Sequence, residues 1–200
     1  MACDMDTRSR DPDRGAGPVH AVLRIIAWIG QAAAWLILPI LVLVLVSVTL
    51  SAAKVGILLQ WDSHVFLFGA RLTLASLGDL QWHLFGIMLM LTMAGALVSD
   101  AHVRVDFLRQ HMSRRQKCVA DLFGHLVFLL PFAAVVVWHG YGFTLRSFNM
   151  GEGSGYDGLY DRFVLKAFIP IGFSLLAIAG VGLAILRLRE LITGKPESRS

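Results

Sequence analysis

Four long stretches without a single charged residue, at 25–53, 80–99, 122–145 and 167–186, limit what this chain can become. Each reaches the roughly 20 residues that an α-helix needs to cross about 30 Å of hydrocarbon. The composition agrees, with 56% hydrophobic and 16% charged residues, where soluble domains carry about 25% charge. A soluble globular enzyme, a nucleic-acid binder and a disordered chain are excluded, despite a pI near 9.4. The pattern predicts an all-α integral membrane protein of four transmembrane helices, at about 22–50, 79–99, 119–141 and 166–188.

The basic residues follow the membrane. Of 18 Lys and Arg, 13 fall in the two tails and the 100–118 loop, and 5 in the other two connections. The positive-inside rule then places the N and C termini in the cytoplasm. Cys3 and Cys118 fall on that side, where thiols stay reduced, so no disulfide framework is expected. The first 24 residues mix Asp with Arg, and the apolar run after them is far longer than a signal h-region. The first span therefore reads as a retained anchor. Residues 1–20 and 194–200 read as disordered tails around a membrane domain of residues 21–193.

Residues 54–78 fit no span. The part from Val65 to Leu77 is apolar but short, and Arg71 interrupts it. An arginine in mid-bilayer costs at least about 2.5–3.5 kcal/mol. An interfacial amphipathic helix at about 62–77 avoids that cost and is the expected solution. Pro131 inside the third span predicts a kink, and the glycines from 142 to 158 predict a turn-rich loop. Gly30/Ala34, Thr92/Ala96 and Gly180/Ala184 have the spacing that lets helices approach closely, a pattern that 19 glycines also produce by chance. Candidate membrane anchors are Arg109, Arg114, Arg115, Arg187 and Arg189 inside, with Trp61, Trp82 and Trp138 outside.

Ionisable residues within a span mark chemistry, and here they are three histidines, His83, His125 and His139. The last two are 14 positions apart, on one side of a helix and about 21 Å from each other. One alternative is thus a haem-carrying membrane anchor of a respiratory oxidoreductase, with His83 opposite His139. A second is a self-contained four-helix transporter, although no span has an acidic residue away from its ends. There is no Walker loop, CxxC or HExxH. No catalytic, metal or cofactor site is expected.

Four motifs in order carry a family resemblance. Asp79-Leu-Gln81-Trp82-His83 opens the second span, and His102-Val-Arg104-Val-Asp106 follows it. Asp121-Leu-Phe-Gly124 and Leu130-Pro131-Phe132 lie in the third span. Gly151-Glu152-Gly153-Ser154 and Lys166-Ala-Phe-Ile-Pro170 precede and open the fourth. With these the chain resembles the small membrane subunit, DctQ type, of tripartite ATP-independent periplasmic (TRAP) transporters. Asp79, Phe148 and Ala179 depart from the family pattern and leave the substrate subgroup open.

The resemblance implies a small permease subunit of a bacterial inner (cytoplasmic) membrane, surrounded by lipid and without nucleic acid. It implies a periplasmic binding protein that captures a carboxylate-type solute. It also implies a large DctM-type subunit that moves the solute with sodium, so that sodium sits on that partner and no cofactor on this chain. The small subunit is then a scaffold. The motif residues are expected to be structural or interfacial. The His102–Asp106 motif would fix the turn out of the second span, with Arg104 pairing Asp100, Asp106 or a lipid phosphate. Gly151–Ser154 would lie near the docking surface of the binding protein.

Overall fold

Prolines and caps decide where the four apolar runs bend and stop. The computed structural model describes residues 17–100, 112–153 and 158–193. The first span is α1 (Pro18–Ala34) followed by α2 (Ile37–Ala52). Pro39 has no N–H to offer the carbonyl of Trp35. Tightened bonds fill the break, with Trp35 N donating to Ala32 O at 3.2 Å and Leu36 N to Ala33 O at 3.0 Å. The second span, α3 (Leu74–Val98), starts five residues before Asp79, because Thr73 and Ser76 form a reciprocal capping box. Asp79 therefore lies in the second turn of α3 and does not open the span, contrary to the expected start at 79.

The third span comprises α4 (Arg114–Phe123), a π-helical turn (Gly124–Leu129) and α5 (Leu130–Met150). The wide turn lies directly before Pro131, whose ring would otherwise press on the carbonyl one turn back. Gly151 ends α5 in the left-handed conformation, φ 58°. Its N–H donates to Phe148 O, and Glu152 N–H donates to Ser147 O, the paired bonds of a Schellman stop. This carries the helix nine residues past the expected end and shortens the glycine-rich loop. The fourth span is α6 (Phe163–Thr193).

All four spans are long and apolar enough to cross a membrane, and the architecture is that of an all-α four-helix membrane protein. The expected interfacial helix at 62–77 is a correction: the segment is a β-hairpin. Strands β1 (Ile57–Val65) and β2 (Gly69–Thr73) pair antiparallel, and residues 74–77 already belong to α3. The reason is legible in β1, where Leu59, Trp61 and Val65 alternate with Gln60, Asp62 and His64, a period of two. Gly69 at φ 66° then breaks any helix through the segment. Likewise, residues 18–20 are helical rather than tail, while 1–16 and 194–200 lie outside the described residues.

Successive spans run in opposite directions, so the described chain ends, residues 17 and 193, share one end of the bundle (the terminal end). The hairpin and residues 151–153 and 158–162 share the other (the hairpin end). Helix α6 is central and packs on α1, α3, α4 and α5. The buried core is small and sits between α1, α3 and α6: Leu23, Ile26, Ala94, Leu176, Ala179 and Leu183. Glycines set the closest approaches. A Cβ on Gly30 would stand 2.9 Å from Gly95 Cα, and one on Gly172 would stand 2.6 Å from Met90 O. Neither obstacle is a side chain that can turn away.

Gly30→Ala and Gly172→Ala should each lower the melting temperature in detergent, by an overpacking cost of about 1–3 kcal/mol. Gly142→Ala, where a Cβ meets nothing within 4 Å, should unfold like the wild type.

Candidate functional site

Three residues far apart in the sequence, Asp79, Glu152 and Lys166, come together at the hairpin end. Asp79 Oδ2 accepts from Arg162 Nη2 at 3.0 Å and from the backbone N–H of Leu159 at 3.1 Å. Arg162 N–H in turn donates to Glu152 O at 3.1 Å. The Glu152 carboxylate pairs with Lys166 Nζ and accepts from Ser147 Oγ at 2.8 Å. Lys166 also lies 4.0 Å from the centre of the Phe143 ring. One continuous network thus joins α3, α5, α6 and the connection before α6. The hydrogen bonds from Lys166, then Ser147, hold the Glu152 carboxyl below its ordinary pKa.

The same connection clasps the hairpin. Leu67 O at the hairpin tip accepts from Tyr160 N–H at 2.8 Å, and Leu67 N–H reaches Asp161 Oδ2 at 3.4 Å. Leu67 and Asp161 both hold positive φ, 72° and 54°, a strain that side chains other than glycine bear only when their surroundings impose it. The Tyr160 ring lies against Gly69 and Gly153, and a Cβ on Gly69 would fall 2.2 Å from it. Trp61, expected as a membrane anchor, donates its indole N–H to Gly69 O at 2.7 Å and staples the ribbon.

The other motif residues of the second span hold local structure. Gln81 Nε2 donates to Leu43 O and Ser47 Oγ, both at 3.0 Å, and ties α3 to α2. His83 is buried; its Nδ1 bonds Asp79 O at 2.6 Å and its Nε2 has no partner among the described residues. Trp82 and Trp138 are 71% and 78% exposed. At the terminal end, Asp121 accepts from Arg187 at 2.9 Å, and Arg187 also pairs with Glu190 at 2.9 Å. Arg187 therefore bridges α4 and α6, a pairing that charge counting along the sequence did not find. Arg115 and Arg189 are exposed at the same end. Gly124 opens the π-turn, Pro131 follows it, and Pro170 receives Gly140 of α5. His102, Arg104, Asp106, Arg109 and Ser154, and the side chain of Arg114, lie outside the described residues.

The histidines do not converge. His125 Nδ1 bonds Asp121 O, 2.5 Å away at the terminal end, whereas His83 sits at the hairpin end and His139 is exposed on α5. Among the described residues no group of three or more His, Cys, Asp or Glu could hold a metal ion. An open apolar groove of about 1110 Å3 lies between α5 and α6, lined by Trp138, Tyr141, Pro170 and Leu175 among others. It is remote in character from the charged network, whose ionised groups brace helices against one another. Sequence reasoning missed Tyr160, Asp161 and Arg162. Their only sequence signal was a Tyr-Asp-Arg run after a glycine-rich stretch.

A family model described as tripartite ATP-independent periplasmic transporters, DctQ component, matches residues 65–190. No curated protein and no solved structure matches the chain.

A carboxylate whose folded pKa is lowered adds stability that is full above its ordinary range and is lost as pH falls through the lowered value. The melting temperature of the wild type should therefore drop on acidification. Glu152→Gln should melt lower at neutral pH and respond less to acid; an acid profile identical to wild type would remove the carboxylate from the clasp. Gly69→Ala, which combines a positive φ with the Tyr160 ring, should expose residues 57–68 to limited proteolysis while the spans stay folded.

Proposed function

The chain belongs to the DctQ family of TRAP transporter components, and we propose that it is the small permease subunit, a static scaffold for a large sodium-coupled elevator subunit. The solute is of carboxylate type and arrives on a periplasmic binding protein. The membrane is the bacterial inner membrane, with the terminal end in the cytoplasm, as the basic tails suggest. The hairpin end then faces the periplasm and the binding protein.

One observation carries this reading. The carboxylates Asp79, Asp121, Glu152 and Glu190 are all committed to ion pairs that brace the ends of the spans. A transporter that couples ions to a solute needs ionisable or backbone ligands near mid-membrane, and no span carries a carboxylate there. What the chain does present to its surroundings is apolar surface, including Leu41, Leu45, Phe128, Phe132 and Ile178. A frame for a moving partner needs such a surface and internal fastening.

Proteoliposomes holding this chain, the large subunit and the binding protein should take up solute when a sodium gradient is imposed. Omitting this chain should abolish uptake, and this chain alone should transport nothing. Sodium-dependent uptake by the isolated chain would overturn the proposal. Reporter fusions should place both termini on the cytoplasmic side.

A further inference from the structure

Polar side chains on the outside of a membrane bundle are informative, because lipid tails cannot hydrogen-bond them. Trp28 and Gln31 of α1 and Trp35, its C-cap in right-handed helical conformation, recur at intervals of three and four and therefore share one face. The two indoles are 69% and 68% exposed, and Gln31 is exposed between them. No hydrogen bond within the described residues reaches the carboxamide or either indole nitrogen. Four hydroxyls elsewhere in the spans satisfy themselves on carbonyls of their own helix: Thr49 on Leu45, Thr92 on Met88, Thr144 on Gly140 and Ser174 on Pro170. A glutamine amide pointing outward has no such recourse.

The depth of this face follows from the packing. Lys166 and Arg187 bound the charge-free part of α6, 21 positions and about 31 Å of helix apart, one hydrocarbon thickness. Their midpoint is near Leu176 and Ala177. Helices α3 and α6 run in the same direction and touch at Met90 and Gly172, which puts Gly95 level with Ala177. Gly30 of α1 packs on Gly95, so Gln31 is level with Leu176. The contact of Gly182 with Leu23 on the antiparallel α1 gives Ser174 instead. Both routes leave Gln31 within about one helical turn, roughly 5 Å, of the midplane. The exposed His139 differs: Gly140 packs on Pro170, so His139 is level with Ile171, nearer the charged residues of the hairpin end.

We infer that the Trp28–Gln31–Trp35 face of α1 docks a transmembrane helix of the large permease subunit, which meets Gln31 with a hydrogen-bonding group. The inference rests on the subunit reading above and adds which face is used. Interhelical hydrogen bonds of this kind hold membrane helices together, and exposed indoles are common anchors of interfaces. The contrast lies within the same span. The outward surface of α2 is Leu38, Leu41, Val42, Leu45 and Val48, with no polar group in need of a partner, and it faces lipid.

The test uses the full chain co-expressed with the large subunit in membranes. A benzophenone side chain at position 28 (Trp28→benzoylphenylalanine) should cross-link to the large subunit. The same probe at Leu45 should label lipid. Gln31→Leu should weaken the complex about threefold to tenfold, the range of one such bond, without changing the melting temperature of the isolated chain. Lipid adducts at position 28, or an unchanged affinity in Gln31→Leu, overturn the assignment. If the wild type forms no complex with the large subunit, the subunit reading falls and this face with it; a wild-type complex that cross-links only through position 45 overturns the face alone.

Discussion

Apolar helices in lipid gain little by touching one another, since acyl chains solvate leucine as well as a neighbouring helix does. Cohesion must come from elsewhere, and in this chain it has two sources. Near the midplane, backbones meet where glycine permits it, Gly30 on Gly95 and Gly172 on Met90. At the two ends, charged groups that lipid would penalise find each other, Asp79 with Arg162 and Asp121 with Arg187. The small core and the wide apolar exterior both follow. A bundle fastened at its ends and pinched at its centre has no need to bury most of its side chains.

The spans were readable because hydrocarbon excludes charge, and charge is visible in a sequence. Their ends were less so. Thr73, Ser113 and Gly151 set helix limits through capping bonds, and these shift boundaries by several residues without altering the charge pattern. Pro39 was a visible breaker in an otherwise uniform run, yet the run's length concealed it. The hairpin was misread because Arg71 and the apolar count were weighed without the alternation from Leu59 to Val65. Its docking could not be foreseen, since Tyr160 and Asp161 lie more than 90 positions from Leu67 and no local pattern links them.

The motif residues gain a physical meaning from their neighbours. Ser147, Gly151 and Glu152 are one device: the glycine turns the chain back, the amide of Glu152 closes the helix on Ser147, and the serine hydroxyl holds the carboxylate that meets Lys166. Asp79 plays the matching part for the second span by receiving Arg162 and Leu159. Residues that looked like separate signatures along the chain are thus two halves of a single fastening. His83 belongs to it through the carbonyl of Asp79.

The interruption at Trp35 and Leu36 sets the first span apart. Its terminal-end half, α1, is packed on both α3 and α6, while its hairpin-end half touches α3, buries Ile40 alone and has one side chain, Gln81, as its polar tether among the described residues. Tilting that hairpin-end half requires no unpacking of the core. A bilayer thinner or thicker than the spans would be matched at least cost by tilting α2 about this break.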